Sequence, residues 1–228
     1  MAHRIIRNIP RADPEVVKAL GQQGVSTVHE AQGGTGLMRT YMRPIYPGAR
    51  VAGSAVTVFC SGDNLMIHAA IEVCRPGDVL VVVSASETTD GMFGDLLGSS
   101  CRARGVVGLV IDAGVRDVTE LTEMAFPVWA KAICAHGTLK ATGGSVNVEV
   151  ACAGVTVQPG DVVVADQDGV VVVRRQEAAE VARLSQVRAD RESVIRERLR
   201  AGELSVDVFN LRGKLAERGV EYLDETAE

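Results

Sequence analysis

Valine-rich runs follow the same three residues, Pro-Gly-Asp, at two places in the chain. They are "RPGDVLVVVSA" at 75–85 and "QPGDVVVADQDGVVVV" at 158–173. A turn that leads into such an apolar run predicts a strand buried on both faces. In the second copy, Asp168-Gly169 predicts the turn of a hairpin. A third apolar run, "VVGLVID" at 106–112, predicts another buried strand that ends near Ile111.

Stretches with helical spacing of apolar residues alternate with these runs. A first helix is predicted over 13–23, with Asp13 as its cap and Pro14 in its first turn. Further helices are predicted in "VSTVHEA", in "NLMIHAAIEV" behind a cap at Asp63, in "GDLLGSSCRARG" and in "DVTELTEM". "ARVAGSAVTVFC" predicts a half-buried strand and "FPVWAKA" another strand. Alternating strands and helices favour parallel pairing through right-handed crossovers, so the predicted fold class is α/β with a mostly parallel sheet.

The longest predicted helix, over 176–201, is dense in charge and ends at Gly202. It has few apolar positions for its length, which favours packing across a surface or onto another subunit. We therefore predict one domain overall, made of an α/β core over 1–175 and a C-terminal helical extension over 176–228.

Composition excludes several classes of protein. The formal net charge of −5 argues against nucleic acid as a general partner. The five cysteines include no Cys-x-x-Cys pair, which favours buried free thiols over a zinc site. No segment has the apolar core of a signal peptide or the length of a membrane span, so we expect a cytoplasmic protein without a membrane partner.

Charged residues follow two of the predicted strands at the same edge of the sheet. Arg116 and Asp117 come after the strand at 106–112, and Asp95 comes after the strand at 79–85. Ligands of open parallel sheets bind at the carboxyl ends of the strands. The helix that begins at Gly94-Asp95-Leu96-Leu97 offers free backbone N–H groups to an anion, and glycine allows a close approach. A guanidinium, an anion-binding helix start and two acids suit a hard cation that bridges a 2-oxo acid.

Each of these residues also has an ordinary structural interpretation. Asp95 alone is typical of an N-cap, and Arg116-Asp117 of a surface turn. Asn64 and His68 lie one turn apart on an apolar helix, which favours a core histidine, although both are also candidate substrate-binding residues. Glu192 alone is one charge on a solvated helix. Spacing does not decide between the two interpretations.

The stretch "GDLLGSSCRARGVVGLVIDAGVRD" closely resembles the family of 4-hydroxy-4-methyl-2-oxoglutarate / 4-carboxy-4-hydroxy-2-oxoadipate aldolases, in the superfamily of the regulator of ribonuclease activity A. The similarity covers nearly the whole chain, including "YMRPIYPG", "TTDGMFGDLL", "FPVWAKAI" and the "RES" of the long helix. It implies a layered α/β/β/α fold and a homo-oligomer, either a trimer or a pair of trimers.

The resemblance also implies a role for each candidate residue. Asp117 would bind Mg²⁺ or Mn²⁺ directly, and Asp95 and Glu192 would reach the metal through water. Arg116 and the backbone of Gly94 to Leu97 would hold the pyruvate part of the substrate. Glu192 would come from the neighbouring subunit. Arg116, Asp95 and Glu192 are then the catalytic candidates.

These roles describe a class II pyruvate aldolase, a carbon–carbon lyase of aromatic-acid catabolism. Its substrates would be 4-hydroxy-2-oxo diacids and triacids, with decarboxylation of oxaloacetate as a side activity that uses the same enolate. We expect no Schiff-base lysine beside the site. Two alternatives stay open: a non-catalytic binding protein like the ribonuclease regulator, and a dedicated oxaloacetate decarboxylase.

Overall fold

The computed structural model describes residues 3–223, which divide into two units, one ending at Ser185 and the other beginning at Gln186. The elements of the first unit are, in chain order, β1 (Arg4–Ile5), α1 (Pro14–Gln22), α2 (Val25–Ala31), β2 (Arg43–Pro44), β3 (Val51–Cys60), α3 (Leu65–Val73), β4 (Asp78–Ser84), β5 (Gly91–Phe93), α4 (Asp95–Ala103), β6 (Gly108–Val115), α5 (Val118–Glu123), β7 (Val128–Ile133), β8 (Ser145–Val146), β9 (Val150–Cys152), β10 (Val155–Val157), β11 (Val162–Asp166), β12 (Gly169–Val173) and the start of α6 (Ala178–Arg200). The second unit carries the rest of α6, then α7 (Ser205–Val208) and α8 (Arg212–Glu217).

The central sheet is mixed but mostly parallel, as predicted. Its strand order is β1-β8-β3-β4-β6-β7-β2, with β5 paired to β6 and the β11–β12 hairpin paired to β3. The neighbours β3, β4, β6 and β7 are all parallel, which confirms the predicted parallel pairing. Among the named strands of this sheet in the described residues, antiparallel pairing is confined to β2, to β8 against β3, and to the hairpin, while β9 and β10 form a separate antiparallel pair.

The two faces of the sheet support different layers of the protein. On β4, Leu80 and Val82 pack into the cluster that also contains the buried residues of α3 and α4, whereas Val79 and Val81 pack with the hairpin and β9. The far side of the hairpin is covered by α1, α2 and the first turns of α6. The strand β3 joins the layers, because it pairs with β4 on one side and β11 on the other. The result is the α/β/β/α layering that the resemblance implies.

The two Pro-Gly-Asp turns are built in the same way. Asp78 and Asp161 are each 1% exposed, and each accepts the backbone N–H of the residue three positions earlier. Each carboxylate also pairs with an arginine, Arg11 at 2.7 Å and Arg174 at 2.9 Å. A buried carboxylate is tolerated only when it is paired and hydrogen-bonded in this manner. Both turns lead into buried strands. The predicted hairpin is present, but its turn lies one residue earlier, at Gln167 and Asp168, because Gly169 already pairs with Asp166 as the first residue of β12.

Three further local predictions are wrong in detail. The strand β3 is buried along most of both faces rather than on one, because the hairpin and β9 cover the side expected to face solvent. The strand β6 continues past Ile111 to Val115, since β5 and β7 pair with its end. The N-cap of α3 is Asn64 rather than Asp63, although the Asp63 side chain still accepts the N–H of Leu65.

The second unit consists of charged helices. In α6, Val187 and Val194 are more than half exposed, and Arg188 Nε lies 2.8 Å from Glu192 Oε1 across one helical turn. The segment after α6 contains the two short helices α7 and α8. Among residues 3–223, no helix combines the length and the apolar character that crossing a membrane requires.

Candidate active site

One pocket at the carboxyl edge of the sheet brings together most of the candidate residues. It lies where β5 and β6 end, and loops and helix starts from distant parts of the chain form its wall. Eight of its lining residues were predicted from the sequence: Asn64, His68, Gly94, Asp95, Leu96, Leu97, Arg116 and Asp117. Ligand binding at this edge is typical of parallel sheets.

Asp117 is held in an uncommon backbone conformation at the start of α5. Its φ of 55° and ψ of 44° lie in the left-handed region, which costs a residue with a Cβ about 1 kcal/mol. The Oδ2 atom accepts the N–H of Asp95 at 3.2 Å and lies 3.4 Å from Arg116 Nε. Backbone strain in a pocket is typical of functional residues. The carboxylate of Asp117 therefore contacts both its neighbour Arg116 and Asp95, the first residue of α4.

Glycine is required at position 94 by space rather than by backbone angle. A Cβ there would overlap Asp117 Oδ2 and lie 3.1 Å from Arg116 Cγ. Two further glycines, which the sequence analysis did not single out, border the same arginine. A Cβ at Gly137 would lie 2.7 Å from Arg116 Nη1, and one at Gly91 would lie 3.3 Å from its Cβ. Gly94 and Gly137 thus leave room for the side chains of Asp117 and Arg116, whereas at Gly91 the nearest atom is the carbonyl oxygen of Cys134.

The first turn of α4 offers backbone rather than side chains to a ligand. Leu97 is 6% exposed and packs in the core, whereas Leu96 is 76% exposed at the mouth of the pocket. The N–H groups of Leu96 and Leu97 have no acceptor within the helix, because the first turn of any helix lacks one. Together with the helix dipole, they favour a bound carboxylate.

Asn64 and His68, at the start of α3, also line the pocket. Asn64 is buried and donates Nδ2 to the carbonyl oxygen of Met92 at 2.9 Å, while its buried Oδ1 has no hydrogen-bond partner among the described residues. His68 is exposed, so the interpretation as a core histidine is wrong. Partial desolvation, followed by the positive charge of Lys140, lowers the pKa of His68. The imidazole is therefore neutral near pH 7.

Five lining residues were not predicted from the sequence: Gly91, Met92 and Phe93 of β5, and Thr138 and Lys140 of the segment after β7. The Thr138 hydroxyl oxygen is buried without a hydrogen-bond partner, and Lys140 is exposed. The rule that located Arg116 would have found them if it had been applied to the end of β7 as well. Lys140 is a lysine that the sequence did not place in the pocket, and the expectation that no Schiff-base lysine lies beside the site stays a prediction.

The acidic residues of the pocket suit a cation that keeps several waters. Asp117 and Asp95 supply carboxylate oxygens, the donors that Mg²⁺ and Mn²⁺ prefer. In the part of the chain that the structure describes, no three His, Cys, Asp or Glu side chains cluster as a metal cage would require. Magnesium is commonly bound through one or two carboxylates with water completing its shell. The donor set therefore fits the ion that the resemblance implies.

Glu192 is the one candidate residue outside the first unit. It lies on the part of α6 that belongs to the second unit and pairs there with Arg188. Its expected role needs a carboxylate from a neighbouring subunit and stays a prediction.

Most of the chain is similar to proteins of one family, both in sequence and in fold. Residues 23–172 match the model of the RraA-like family, described as Aldolase/RraA. A Halalkalibacterium halodurans protein, provisionally named a 4-hydroxy-4-methyl-2-oxoglutarate aldolase, is 31% identical over 73% of this chain and 80% of its own. The fold is shared with an uncharacterized Pseudomonas syringae protein, at a TM-score of 0.79 and 25% identity over 88% of this chain and 99% of the other.

A second solved structure represents the regulatory side of the same superfamily. It is a Streptomyces coelicolor protein described as an unusual member of the RNase ES inhibitor RraA family. It superposes with a TM-score of 0.73 at 29% identity and covers 82% of this chain and 100% of its own. The family model matches residues 23–172, well over half of the present chain. The chain therefore belongs to the RraA-like, Aldolase/RraA family.

Proposed function

We propose that this protein is a divalent-metal-dependent aldolase that cleaves 4-hydroxy-2-oxo acids into pyruvate and a second 2-oxo acid. The observation that carries the proposal is the meeting of Asp117, Arg116 and the first turn of α4 in one pocket. The aldolase name of the Halalkalibacterium relative supports the substrate class. The candidates are 4-hydroxy-4-methyl-2-oxoglutarate and 4-carboxy-4-hydroxy-2-oxoadipate, in the breakdown of aromatic acids.

Different residues of the pocket bind different groups of the pyruvate half of the substrate. The N–H groups of Leu96 and Leu97 bind the carboxylate, and Arg116 faces the 2-oxo oxygen. Asp117 would hold Mg²⁺ or Mn²⁺ and Asp95 would reach it through water. A metal held there would supply Lewis-acid chemistry to the 2-oxo group.

Cleavage of the C3–C4 bond leaves the electron pair on the pyruvate half as an enolate. Arg116 stabilises the negative charge that then develops on the 2-oxo oxygen. The C4 hydroxyl must lose its proton in the same step, and Glu192 of a neighbouring subunit, acting through water, is the proposed acceptor. Loss of carbon dioxide from oxaloacetate gives the same enolate, so we expect decarboxylation as a side activity.

Pyruvate release tests the reaction and its metal requirement together. With 4-hydroxy-4-methyl-2-oxoglutarate and Mg²⁺ or Mn²⁺ we expect turnover, and chelation should lower it at least about tenfold until metal is restored. Oxaloacetate should react in the same assay. No pyruvate from either substrate with either metal would contradict the proposal and favour the non-catalytic alternative, while activity on oxaloacetate alone would favour the decarboxylase.

Lys140 provides the control for a different aldolase chemistry. An amine at this position could in principle form an imine with pyruvate, but such lysines are made nucleophilic by burial, and Lys140 is exposed. Borohydride added with pyruvate should therefore leave the chain unlabelled in intact-mass measurements. A stable adduct on Lys140 would contradict the metal-based proposal.

Mixing two inactive variants tests the shared site. Glu192→Ala and Asp117→Ala protein, each inactive alone, should regain activity after they are dissociated and reassembled together. At equal amounts, random assembly pairs an intact Asp117 with an intact Glu192 at about one site in four. A verified mixed oligomer without recovery, or a fully active monomer, would assign the whole site to one chain.

A further inference from the structure

The segment 136–142, which carries Thr138 and Lys140, is attached to the rest of the pocket at two points. At its beginning, Gly91 donates its N–H to the carbonyl oxygen of His136 at 2.7 Å. At its end, Ala141 and Thr142 donate their N–H groups to Asp63 Oδ2 at 2.6 and 2.8 Å. The two attachments fix the segment beside β5 and beside the start of α3.

Asp63 links this segment to the start of α3, where Asn64 and His68 line the pocket. Its other oxygen, Oδ1, accepts the N–H of Leu65 in the first turn of α3, the helix that carries His68. The residue is only 4% exposed. Burial alone would raise the pKa of the Asp63 carboxyl, but the backbone donors outweigh burial and lower it, so the side chain is charged at neutral pH.

Among the described residues, the other contacts between α3 and this part of the chain are packing of Met66 near Gly144 and one backbone hydrogen bond. The remaining backbone bond there, from Asn64 N to the carbonyl oxygen of Leu139, is long at 3.4 Å. Hydrogen bonds to a charged group are roughly twice as strong as neutral ones. The position of Thr138 and Lys140 relative to Asn64 and His68 therefore depends mainly on one carboxylate.

We propose that Asp63 is a positioning residue that sets the width of the pocket opposite the pyruvate-binding residues, and thereby its selectivity for the distal half of the substrate. This inference rests on the proposed function. Asp63 contacts no substrate itself. It acts by fixing the segment 136–142, whose side chains face the part of a 4-hydroxy-2-oxo acid that pyruvate lacks.

The test replaces Asp63 in the full-length protein and follows both the segment and the kinetics. In Asp63→Asn, one amide group cannot accept from three donors, so the amide protons of Ala141 and Thr142 should exchange with solvent at least about tenfold faster. The KM for 4-hydroxy-4-methyl-2-oxoglutarate should rise about tenfold, with a smaller change in kcat. The KM for pyruvate, measured by exchange of its methyl protons in D₂O, should change much less.

Two further variants separate positioning from general destabilisation. Asp63→Ser keeps an acceptor for the Leu65 N–H but is too short for the segment, so it should fold and show the same kinetic pattern. Asp161→Asn removes a similarly buried carboxylate that accepts the N–H groups of Gln158 and Arg175 elsewhere in the fold. It should leave the ratio of the two KM values unchanged.

The outcomes distinguish this inference from the proposed function. Unchanged exchange at Ala141 and Thr142 would overturn the inference, as would equal rises in both KM values or a similar effect in Asp161→Asn. If the wild-type protein releases no pyruvate at all, the proposed function fails and the selectivity fails with it. Exchange would then still decide whether Asp63 fixes the segment.

Discussion

Asp117→Asn is expected to lower kcat/KM by at least about 1000-fold, which corresponds to about 4 kcal/mol of barrier height. Asparagine tolerates the left-handed backbone of this position and can still accept the N–H of Asp95. The substitution therefore removes the charge that would hold the metal and little else. Steady-state pyruvate release at saturating Mn²⁺ measures the effect.

The stability of the same variant supplies its control. The thermal midpoint of Asp117→Asn should stay within about 4 °C of wild type, the shift that roughly 1 kcal/mol produces in a chain of this size. Asp117→Ala should be as inactive and also less stable, because alanine is strained at a positive φ. Near-normal turnover of Asp117→Asn would remove Asp117 from the proposed metal site.

Arg116→Ala should lower kcat about 100-fold or more, the usual cost of removing a donor to a developing oxyanion. The 2-oxo oxygen gains its negative charge only as the C3–C4 bond breaks, so the loss should fall on kcat more than on KM. Arg116→Lys keeps the charge but loses the planar group, and we expect at least about a tenfold loss of kcat, or about 1.4 kcal/mol.

Gly137→Ala offers a matched variant that perturbs the Arg116 side chain without replacing Arg116 itself. The added methyl group would crowd Arg116 Nη1, so it should shift the guanidinium and reproduce part of the kcat loss. A raised KM with normal kcat in Arg116→Lys would restrict this residue to binding of the ground state.

Much of the fold and half of the pocket could be predicted because both depend on local pattern. The valine runs and the helical spacing between them are sufficient for the parallel order of β4, β6 and β7. Parallel strands end at one edge, so Asp95, Arg116 and Asp117 are brought together by topology alone. Their assignment to a metal site came from the family resemblance, since the spacing left it open.

The other half of the pocket depends on contacts that sequence patterns do not contain. Asp63 and the backbone of Ala141 are 78 positions apart, and a hydrogen bond to backbone leaves no trace in the residue type of its donor. The space needed at Gly137 likewise appears only once Arg116 has been placed in three dimensions. The burial of β3 was underestimated for a related reason, because the hairpin that covers it lies a hundred residues further along the chain.

The left-handed backbone at Asp117 restricts which substitutions this position can accept during evolution. Only aspartate, asparagine and glycine are accommodated there at little steric cost. Every aspartate codon is one nucleotide away from codons for the other two, and neither replacement carries a negative charge. Descendants can therefore lose the charged residue in a single mutational step while keeping the fold, so an inactive protein on this scaffold is readily reached. We expect family members that have lost catalytic activity and acquired another function to carry asparagine or glycine at this position.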